Sequence, residues 1–537
     1  MPEYLSPGVY VEEIEIGGKP IEGVSTSTAG FLGQTERGPE APTLITGFEQ
    51  YRRLYGGYLD PNKSYLSYGV EGFFTNGGQR CFVGRVVAHP DPQNPAKQGA
   101  VTTSASDGNT INIEALGPGE WGNRLALKID RGSLSPLAPA PATLFKLTVM
   151  YWAQMPPIPL VDPTDPAKAT DPNRRVPDAI EVYDNLTDDK TSINYYENRI
   201  NRQSSLIQVT RKGDGLPVIS DPPELKLLTD FDNPLSGRDG SAPELPDYRG
   251  GTQTLPDGTI IRTGFAGFKE IEEISIIIVP DHHVVANLTQ EVVIQCTLLK
   301  DRFAVLHSKQ GTDTLMTVGS LQPPQDTTYA AFYFPWIKVY DPRTNGDLLV
   351  PPSGHVAGIY AKTDIERGVH KAPANEVVAG ATALEFQITK GEQDVLNPRG
   401  VNCLRVFTGR GLRVWGARTC STDPLWKYVN VRRLMIYLEE SIYYGTQWVV
   451  FEPNNEKLWG RVKATITEFL TRVWRDGALM GTKPEEAFFV KCDRTTMTQD
   501  DIDNGRLICI IGVAVTKPAE FVIFRIAQWA GGSAPTE

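Results

Sequence analysis

The sequence ISIIIVP, Ile274–Pro280, decides the fold, because an uninterrupted apolar run of this length is typical of a strand buried on both faces of a sheet. Residues Val284–Lys300 follow with the periodicity of a helix, and RFAVLH, Arg302–His307, is apolar again. This order predicts a strand, a helix and a second strand. Strands and helices that alternate in this way predict an α/β domain with a mainly parallel sheet covered on both faces.

The same alternation continues further along the chain. An apolar aromatic run, YAAFYFPWIKVY at Tyr329–Tyr340, precedes the segment PPSGHVAGIYA. Pro351 and Pro352 lie just before a predicted helix, and Ser353 is its candidate N-cap.

Length and composition limit the class of protein. The chain has 537 residues, of which 40% are hydrophobic and 22% charged, and this predicts about three or four globular domains. The 53 basic and 64 acidic residues leave a net charge of −11, which repels a phosphate backbone, so we expect no nucleic-acid partner. We also expect neither a signal peptide nor a membrane span, because no apolar run reaches about 18 residues. The six cysteines form no CxxC pair, which predicts reduced thiols and folding in the cytoplasm.

The stretch from about Ala88 to Gly250 differs in character. Short alternating segments such as Asn123–Ile129 and Leu144–Met150 lie between proline-rich connections, with seven prolines between Pro156 and Pro177. This composition favours exposed linkers and small β-elements over a continuous core. We interpret it as a β-rich domain inserted into the α/β domain.

Two amphipathic helices are predicted in the last quarter. The first has Asn430 as its candidate cap and an apolar stripe of Val431, Leu434, Leu438 and Ile442. The second lies near Glu456–Arg475, and one of its faces consists of Leu458, Val462, Ile466, Phe469 and Val473. The opposite face consists of Lys457, Arg461, Glu468, Arg472 and Arg475. One side is therefore core and the other is a mostly basic stripe on an acidic protein.

Three motifs suggest chemistry, and each has a plainer interpretation. The first motif is GxGxxG, formed by Gly117, Gly119 and Gly122. A phosphate-binding turn of this type is followed by a helix, but here the next residues alternate between apolar and polar as in a strand. We therefore expect a β-turn without a ligand. The second motif follows the apolar strand and consists of Asp281, His282 and His283. It favours a solvated turn over a metal site, and the remaining histidines, His89, His307 and His370, are not spaced as further metal ligands.

The third motif is GHVAG around His355, which resembles the segment around the catalytic histidine of subtilisin-like proteases. A triad also needs a nucleophilic serine and a carboxylate. No serine motif follows, which favours a helix start in which small residues permit close packing. A hydrolase that uses His355 stays an alternative.

The chain ends are unusually apolar. Gly8–Ile16, Arg506–Val515 and Glu520–Trp529 are predicted strands, and the last of them needs cover on both faces. Such a strand must pair within its own domain or add to the sheet edge of a neighbour.

Several segments together resemble the contractile tail sheath proteins of bacteriophages and related contractile injection systems. The most specific is VPPSGHVAGIYAKTDIERGVHKAPANEVVAG, Val350–Gly380. The others are SPGVYVEEI (Ser6–Ile14), GPGEWGN (Gly117–Asn123), DNLTDD and YYENRINRQSSLI (between Asp184 and Ile207), VNVRRLMIYLEESI (Val429–Ile442) and WRDGALMGTKPEEAFFVKCD (Trp474–Asp493). The resemblance extends over nearly the whole chain and is weakest in the proline-rich part.

The resemblance implies a structural subunit, not an enzyme. Such a subunit forms stacked hexameric rings around an inner tube, is assembled extended, and contracts to drive the tube through a target cell envelope. Its core has subtilisin-like topology, which would account for GHVAG without catalysis, and its terminal arms form a sheet between subunits. The implied division is 1–25 as an arm strand, 26–87 with 251–411 as the core, 88–250 as an outer β-rich domain, 412–505 as a C-terminal α/β domain and 506–537 as arm strands.

The resemblance, combined with the apolar terminal strands and the basic stripe, suggests candidate residues and partners. The intersubunit arm residues are Val9, Val11, Ile14, Ile508, Ile510, Val513, Phe521, Ile523, Phe524 and Trp529. The candidate inner-tube contacts are Lys457, Arg461, Arg472 and Arg475. Expected partners are further copies of the chain, an inner tube protein, and baseplate and terminal cap proteins, with no cofactor or metal. Either a phage tail or an injection particle would fit, and a non-contractile structural polymer is a further alternative.

Overall fold

The computed structural model of the protein describes residues 20–90, 97–136, 140–254, 258–312 and 321–525. The chain divides into two units. The first comprises Ser25–Val369 and Pro373–Ile436, and the second comprises the residues up to Val24, His370–Ala372 and the residues from Tyr437 onward. The predicted boundaries at residues 88, 251 and 412 stay predictions.

A nine-stranded sheet forms the centre of the first unit. Side by side, its strands are β19 (Glu376–Val377), β22 (Gly411–Val414), β21 (Val401–Phe407), β16 (Ala330–Phe334), β15 (Phe303–His307), β14 (Ile276–Ile278), β1 (Ala29–Gly33), β3 (Cys81–Arg85) and β2 (Thr43–Ile45). The central strands pair in parallel; Ala29, for example, lies between Ile276 and Cys81. Antiparallel pairs occur only towards the two edges. The prediction of a mainly parallel sheet is confirmed.

Helices cover both faces of this sheet. In chain order the helices are α1 (Phe48–Tyr55), α2 (Leu66–Thr75), α3 (Tyr196–Gln203), α4 (Leu245–Arg249), α5 (Gly264–Phe268), α6 (Leu288–Leu299), α7 (Ser353–Arg367), α8 (Lys390–Leu396), α9 (Val429–Gly445), α10 (Glu456–Arg475), α11 (Pro484–Ala487) and α12 (Gln499–Asp503). Phe303 and Val305 of β15 belong to one hydrophobic cluster with α1, α2 and α7. Ala304 and Leu306 belong to a second cluster with α5, α6 and α8. Because successive side chains of a strand point to opposite faces, this alternation buries the sheet on both sides.

Helices α2 and α7 pack unusually closely within the first cluster. A Cβ atom on Gly354 would lie 2.3 Å from the carbonyl oxygen of Gly69, and one on Gly358 would lie 2.4 Å from the carbonyl oxygen of Phe73. Only glycine lets the two backbones approach this far. The GHVAG motif is therefore a helix-packing motif, as its small residues predicted.

Two predicted helix caps are wrong. Ser353 is the first residue of α7, and Pro352 occupies the N-cap position. The hydroxyl of Ser353 is buried without a hydrogen-bond partner, so it does not cap the helix. Asn430 is buried in the first turn of α9, because that helix already begins at Val429.

The segment from about residue 101 to residue 238 forms two four-stranded sheets of its own. The strands are β10 (Leu225–Leu227), β6 (Leu125–Arg131), β7 (Phe145–Tyr151) and β8 (Ala179–Leu186) in one sheet, and β11 (Asp232–Leu235), β4 (Ser104–Ser106), β5 (Ile111–Ala115) and β9 (Ile207–Arg211) in the other. Their inner faces and α3 share one continuous hydrophobic cluster that includes Trp121, Leu127 and Val149. The expectation of little core is wrong here, because the prolines lie in the connection between β7 and β8 and leave the strands free to pair.

Smaller sheets complete the described residues. They are β12 (Thr252–Thr254) with β13 (Ile260–Arg262), the antiparallel set β18 (Gly346–Val350), β17 (Ile337–Asp341) and β20 (Ala381–Leu384), and β23 (Phe488–Lys491) with β24 (Ile510–Val513). The second unit contains the last of these sheets together with α10, α11 and α12.

Candidate interaction surfaces

Helix α10 has the two faces that its sequence predicts. Its five predicted core residues are all buried: Leu458, Val462, Ile466, Phe469 and Val473. Its five predicted stripe residues are all exposed: Lys457, Arg461, Glu468, Arg472 and Arg475. The side chain of Asn455 caps the helix and accepts hydrogen bonds from the backbone N–H groups of Lys457 and Leu458, each at 3.1 Å. The helix is thus fixed by its apolar face and presents a basic stripe.

The four basic residues of this stripe differ in their contacts. The Arg461 guanidinium lies 4.4 Å from the centre of the Trp448 ring and 3.9 Å from a carboxylate oxygen of Glu452. Arg472 donates a 2.6 Å hydrogen bond to the backbone carbonyl of Ile21. Among the described residues, the side chains of Lys457 and Arg475 have no ion pair. These two charges are therefore the most available to a partner.

Part of the predicted C-terminal arm pairs with its own chain. Strand β24 lies antiparallel to β23, with Ile510 opposite Lys491 and Val513 opposite Phe488. The predicted strand Arg506–Val515 is thus shorter than expected. Ile510, in β24, and Ile508, just before it, are both exposed. Whether these residues join subunits stays a prediction.

The segment after β24 is apolar and exposed. Between Glu520 and Arg525 the chain forms no strand within the described residues. Phe521, Ile523 and Phe524 expose 69%, 79% and 83% of their surface. The other predicted arm residues, Val9, Val11, Ile14 and Trp529, lie outside the described residues. An exposed apolar segment of this kind is a candidate interaction site.

His355 does not have the surroundings of a catalytic base. It is buried on α7, where a Cβ atom on Gly72 would lie 2.3 Å from its Nδ1, and this Nδ1 has no hydrogen-bond partner. Burial lowers the pKa of His355 to about 4. Among the described residues no serine or carboxylate hydrogen-bonds to its ring. The residue packs two helices together.

Asp281, His282 and His283 lie in a turn, as expected, but Asp281 and His282 are buried, so the expectation of a solvated turn is wrong. Asp281 is buried and accepts hydrogen bonds from the Ser64 hydroxyl at 2.6 Å and the Tyr65 backbone at 2.9 Å. It thereby ties the start of α2 to the end of β14. Burial raises the pKa of Asp281 to about 6.

His307, which the sequence did not connect to these residues, completes a histidine cluster. Its ring centre lies 4.2 Å from that of His282, and its Nε2 lies 3.2 Å from Nδ1 of His283. The carboxyl ends of the neighbouring parallel strands β14 and β15 bring the three rings together. Burial lowers the pKa of His282 to about 3 and that of His283 to about 4. Among the described residues no group of side chains is arranged to hold a metal ion. The lowered pKa values favour neutral rings, and His283 and His307 pack edge-on against Trp336.

The GxGxxG motif does not form the predicted β-turn: Gly117 and Gly119 lie in a bend, and Gly122 lies in a short 3₁₀ helix, Glu120–Arg124. Gly117 and Gly119 have φ of +104° and +131°, and a Cβ atom on Gly122 would lie 2.3 Å from the Thr103 hydroxyl. Arg85 donates to the carbonyl of Pro118 at 2.6 Å. Strand β6 follows, as its alternation predicted.

None of the helices among the described residues combines the length and the apolar character needed to cross a bilayer.

Sequence comparison identifies one family. The profile of the phage tail sheath protein central domain matches residues 259–420, and that of the phage tail sheath C-terminal domain matches residues 421–528, so together they cover half of the chain. The chain is 29% identical over 196 residues to the tail sheath protein of Burkholderia phage BcepMu, which covers 35% of this chain and 40% of that protein. It is 26% identical over 204 residues to a putative prophage major tail sheath protein of Pseudomonas aeruginosa, covering 36% of this chain and 51% of that protein. These alignments therefore span about half or less of the curated relatives' length.

Solved structures share the fold over nearly the full chain. The helical sheath of the anti-feeding prophage in the contracted state has a TM-score of 0.56 at 23% identity, covering 98% of this chain and 99% of that chain. The sheath complex of the extracellular contractile injection system PVC in the contracted state has a TM-score of 0.55 at 21% identity, with the same coverage. The sheath tail protein of Desulfitobacterium hafniense has a TM-score of 0.52 at 10% identity, covering 95% of this chain and 100% of that chain.

Proposed function

The chain belongs to the phage tail sheath family, and from this premise we propose that it is the subunit of a contractile sheath, stacked in hexameric rings around an inner tube. The family is one of structural proteins, so the alternative of a hydrolase that uses His355 is set aside. Contraction of the sheath drives the tube through a target cell envelope. We further propose subtilisin-like topology for the domain built on the nine-stranded sheet.

The observation that carries this proposal is the exposed apolar segment Phe521–Phe524, together with the open edges of the sheet that precedes it in the chain. Among the described residues, strands β23 and β24 form a two-stranded sheet, so each strand leaves one edge open to a further strand. Phe489 and Ile510 of this sheet are exposed, as are Phe521–Phe524. Strands from neighbouring subunits would complete the sheet and cover the apolar segment.

The strength of such a connection follows from its parts. Each net interstrand hydrogen bond contributes about 0.5–1.5 kcal/mol, and each buried Phe or Ile side chain about 1.5–3 kcal/mol. An arm with a few of each is held by several kcal/mol. This is enough to keep subunits connected while their folded units rotate between two packings, so the lattice switches between two states and does not stretch gradually.

Truncation of the arm tests this assignment. A chain that ends after Thr516 keeps β24 paired with β23, and we expect it to fold as a soluble monomer that forms no sheath. Deletion of Met1–Ile16 is expected to give the same result. Circular dichroism and electron microscopy are the measurements, and the control is deletion of the short segment Lys168–Thr170 in the proline-rich connection. Sheaths of normal length from either truncated chain would contradict the proposal.

We propose that the stripe of α10 lines the bore and contacts the inner tube. Four of its five charged residues are basic, although the whole chain carries −11. Exposed ion pairs contribute only about 0.2–1 kcal/mol each, so many of them hold a tube during assembly and each breaks easily when the sheath widens. An acidic tube surface is the partner that this stripe fits.

Charge reversal at the two unpaired residues is the sharpest test of the bore assignment. Lys457→Glu with Arg475→Glu leaves the fold intact, because neither side chain has an ion pair among the described residues. We expect empty sheaths or contracted sheaths, counted by electron microscopy. Arg461→Glu with Arg472→Glu should act similarly but also removes the Ile21 hydrogen bond. Lys168→Glu, on the exposed proline-rich connection, is the control; tube-filled particles with unchanged salt sensitivity would contradict the assignment.

The remaining partners follow from the same premise. Rings begin on a baseplate and end at a terminal cap, and assembly takes place in the bacterial cytoplasm before release of a phage tail or an injection particle. Electron micrographs of purified particles test this directly. Sheaths of two different lengths support contraction, whereas a single lattice would support the non-contractile polymer.

A further inference from the structure

The loop between α9 and α10 holds one side chain out of its own fold. Within this loop, Trp448–Glu452, Phe451 is fully exposed and its backbone has φ of +69°. Backbone hydrogen bonds from Val450 to Gln447 at 3.3 Å and from Glu452 to Val449 at 3.2 Å close the turns around it. We call residues 448–452 the Phe451 loop.

This conformation is unusual for such a residue. A bulky side chain with positive φ is strained, and glycine or asparagine is the ordinary choice there. Packing against the described part of the chain does not offset this strain, because the Phe451 ring is fully exposed. Strain at an exposed position points to a function outside the monomer.

The Phe451 loop contacts the basic stripe of α10 at Arg461. Arg461 of the stripe lies against the ring of Trp448 and near the carboxylate of Glu452. These two residues flank the exposed pair Val450 and Phe451. A partner that covers Arg461 is therefore close enough to contact the phenylalanine.

We infer that Phe451 is the apolar anchor of the contact with the inner tube, seated in an apolar pocket bordered by acidic groups. This inference rests on the proposed function of the stripe and names the chemistry of its partner. The basic residues beside the loop select an acidic surface. A buried aromatic residue surrounded by weaker polar contacts is the usual arrangement of a binding hot spot.

The size of the contact favours the tube over a second copy of the chain. One phenylalanine buries about 150–250 Å², whereas a stable protein interface buries about 800 Å² per partner. The Phe451 loop alone is therefore too small for a permanent lattice contact. It suits a contact that many subunits make together and that each can release.

Site-specific photo-crosslinking identifies the occupant. The photoreactive analogue p-benzoylphenylalanine at position 451 keeps an aromatic side chain, and irradiation of tube-filled particles should give an adduct of one sheath chain with one tube subunit. The same analogue at position 193, an exposed isoleucine of the inserted segment, is the control. Adducts between two sheath chains alone, or no adduct, would overturn the inference.

Phe451→Ala measures the contribution of the anchor. We expect the fraction of tube-filled particles to fall about tenfold or more with an unchanged melting temperature of the monomer, and Phe451→Trp to retain filling. An unchanged filled fraction for Phe451→Ala overturns the inference. If the fraction of tube-filled particles falls for Lys457→Glu with Arg475→Glu but not for Phe451→Ala, the inference about Phe451 is wrong and the bore assignment stands. If neither variant changes that fraction, the bore assignment itself is wrong.

Discussion

Replacing Gly354 with alanine tests whether GHVAG is a helix-packing motif. The added Cβ atom would lie 2.3 Å from the carbonyl oxygen, 2.4 Å from Cα and 2.7 Å from the carbonyl carbon of Gly69. All three are backbone atoms of α2, so no side chain can rotate to make room. The two helices have to separate by about 1 Å, since ordinary contacts between heavy atoms lie at about 3.5–4.0 Å.

We expect the free energy of unfolding to fall by about 2 kcal/mol. Overpacking a well-packed core costs about 1–3 kcal/mol, and the rigid neighbours of Gly354 place it at the upper end of that range. Helix propensity offsets part of this loss, because alanine is about 0.5–1 kcal/mol more favourable than glycine inside a helix.

Urea denaturation followed by tryptophan fluorescence measures the change, since Trp336 is buried in the same hydrophobic cluster. The matched control is Gly391→Ala on α8, where an added Cβ atom meets nothing within 4 Å. We expect this control to be as stable as the wild type or slightly more stable. A Gly354→Ala variant that unfolds at the wild-type urea concentration would show that the close contact of α2 with α7 does not matter.

Three further predictions concern charge, pH and surface tolerance. Asp364→Asn should lower the free energy of unfolding by about 3–5 kcal/mol, because it leaves Arg433 buried without its 2.6 Å ion pair. Asp60→Asn, at the more exposed ion pair with Arg343, is the control and should change the free energy of unfolding by less than about 1 kcal/mol in the same urea assay. The free energy of unfolding should fall as the pH is lowered from 6.5 to about 4. Burial lowers the folded-state pKa of His282, His283 and His355 to about 3, 4 and 4, so the unfolded chain binds protons first, while the raised pKa of Asp281, about 6, opposes this fall. A urea midpoint that does not change over this pH range would contradict the prediction. A peptide epitope inserted between Pro163 and Pro172 should be antibody-accessible on intact particles, because this connection is exposed and loop entropy grows slowly with length; loss of assembly with a folded monomer would place it at a subunit contact.

The parts of the fold that local pattern determines could be predicted. The apolar runs of β14 and β15 and the two faces of α10 follow from periodicity alone, and their positions agree with prediction to within a few residues. The close packing around Gly354 was predictable from the small residues of the motif. These features depend on neighbours in the sequence.

The features that tertiary structure brings together could not be predicted. His307 is far from His282 in sequence, and only parallel pairing of adjacent strands places their rings side by side. The core of the inserted segment was missed because composition averages the proline-rich connection with strands that contain few prolines. Phe451 carries no sequence signal beyond an apolar pair before Glu452 and Pro453, since positive φ at a phenylalanine contradicts its propensity.

The order of strands in the nine-stranded sheet also sets the order in which a new chain can fold. Strand β1 is made early, but its neighbour β14 emerges from the ribosome only after the whole inserted segment. At about 5–20 residues per second, β1 waits roughly 12–50 s for this partner. The two four-stranded sheets between them have their own hydrophobic cluster and can close during that interval. The inserted segment can therefore fold before the central pair of β1 and β14 forms, and until then β3 is the neighbour to which β1 can pair.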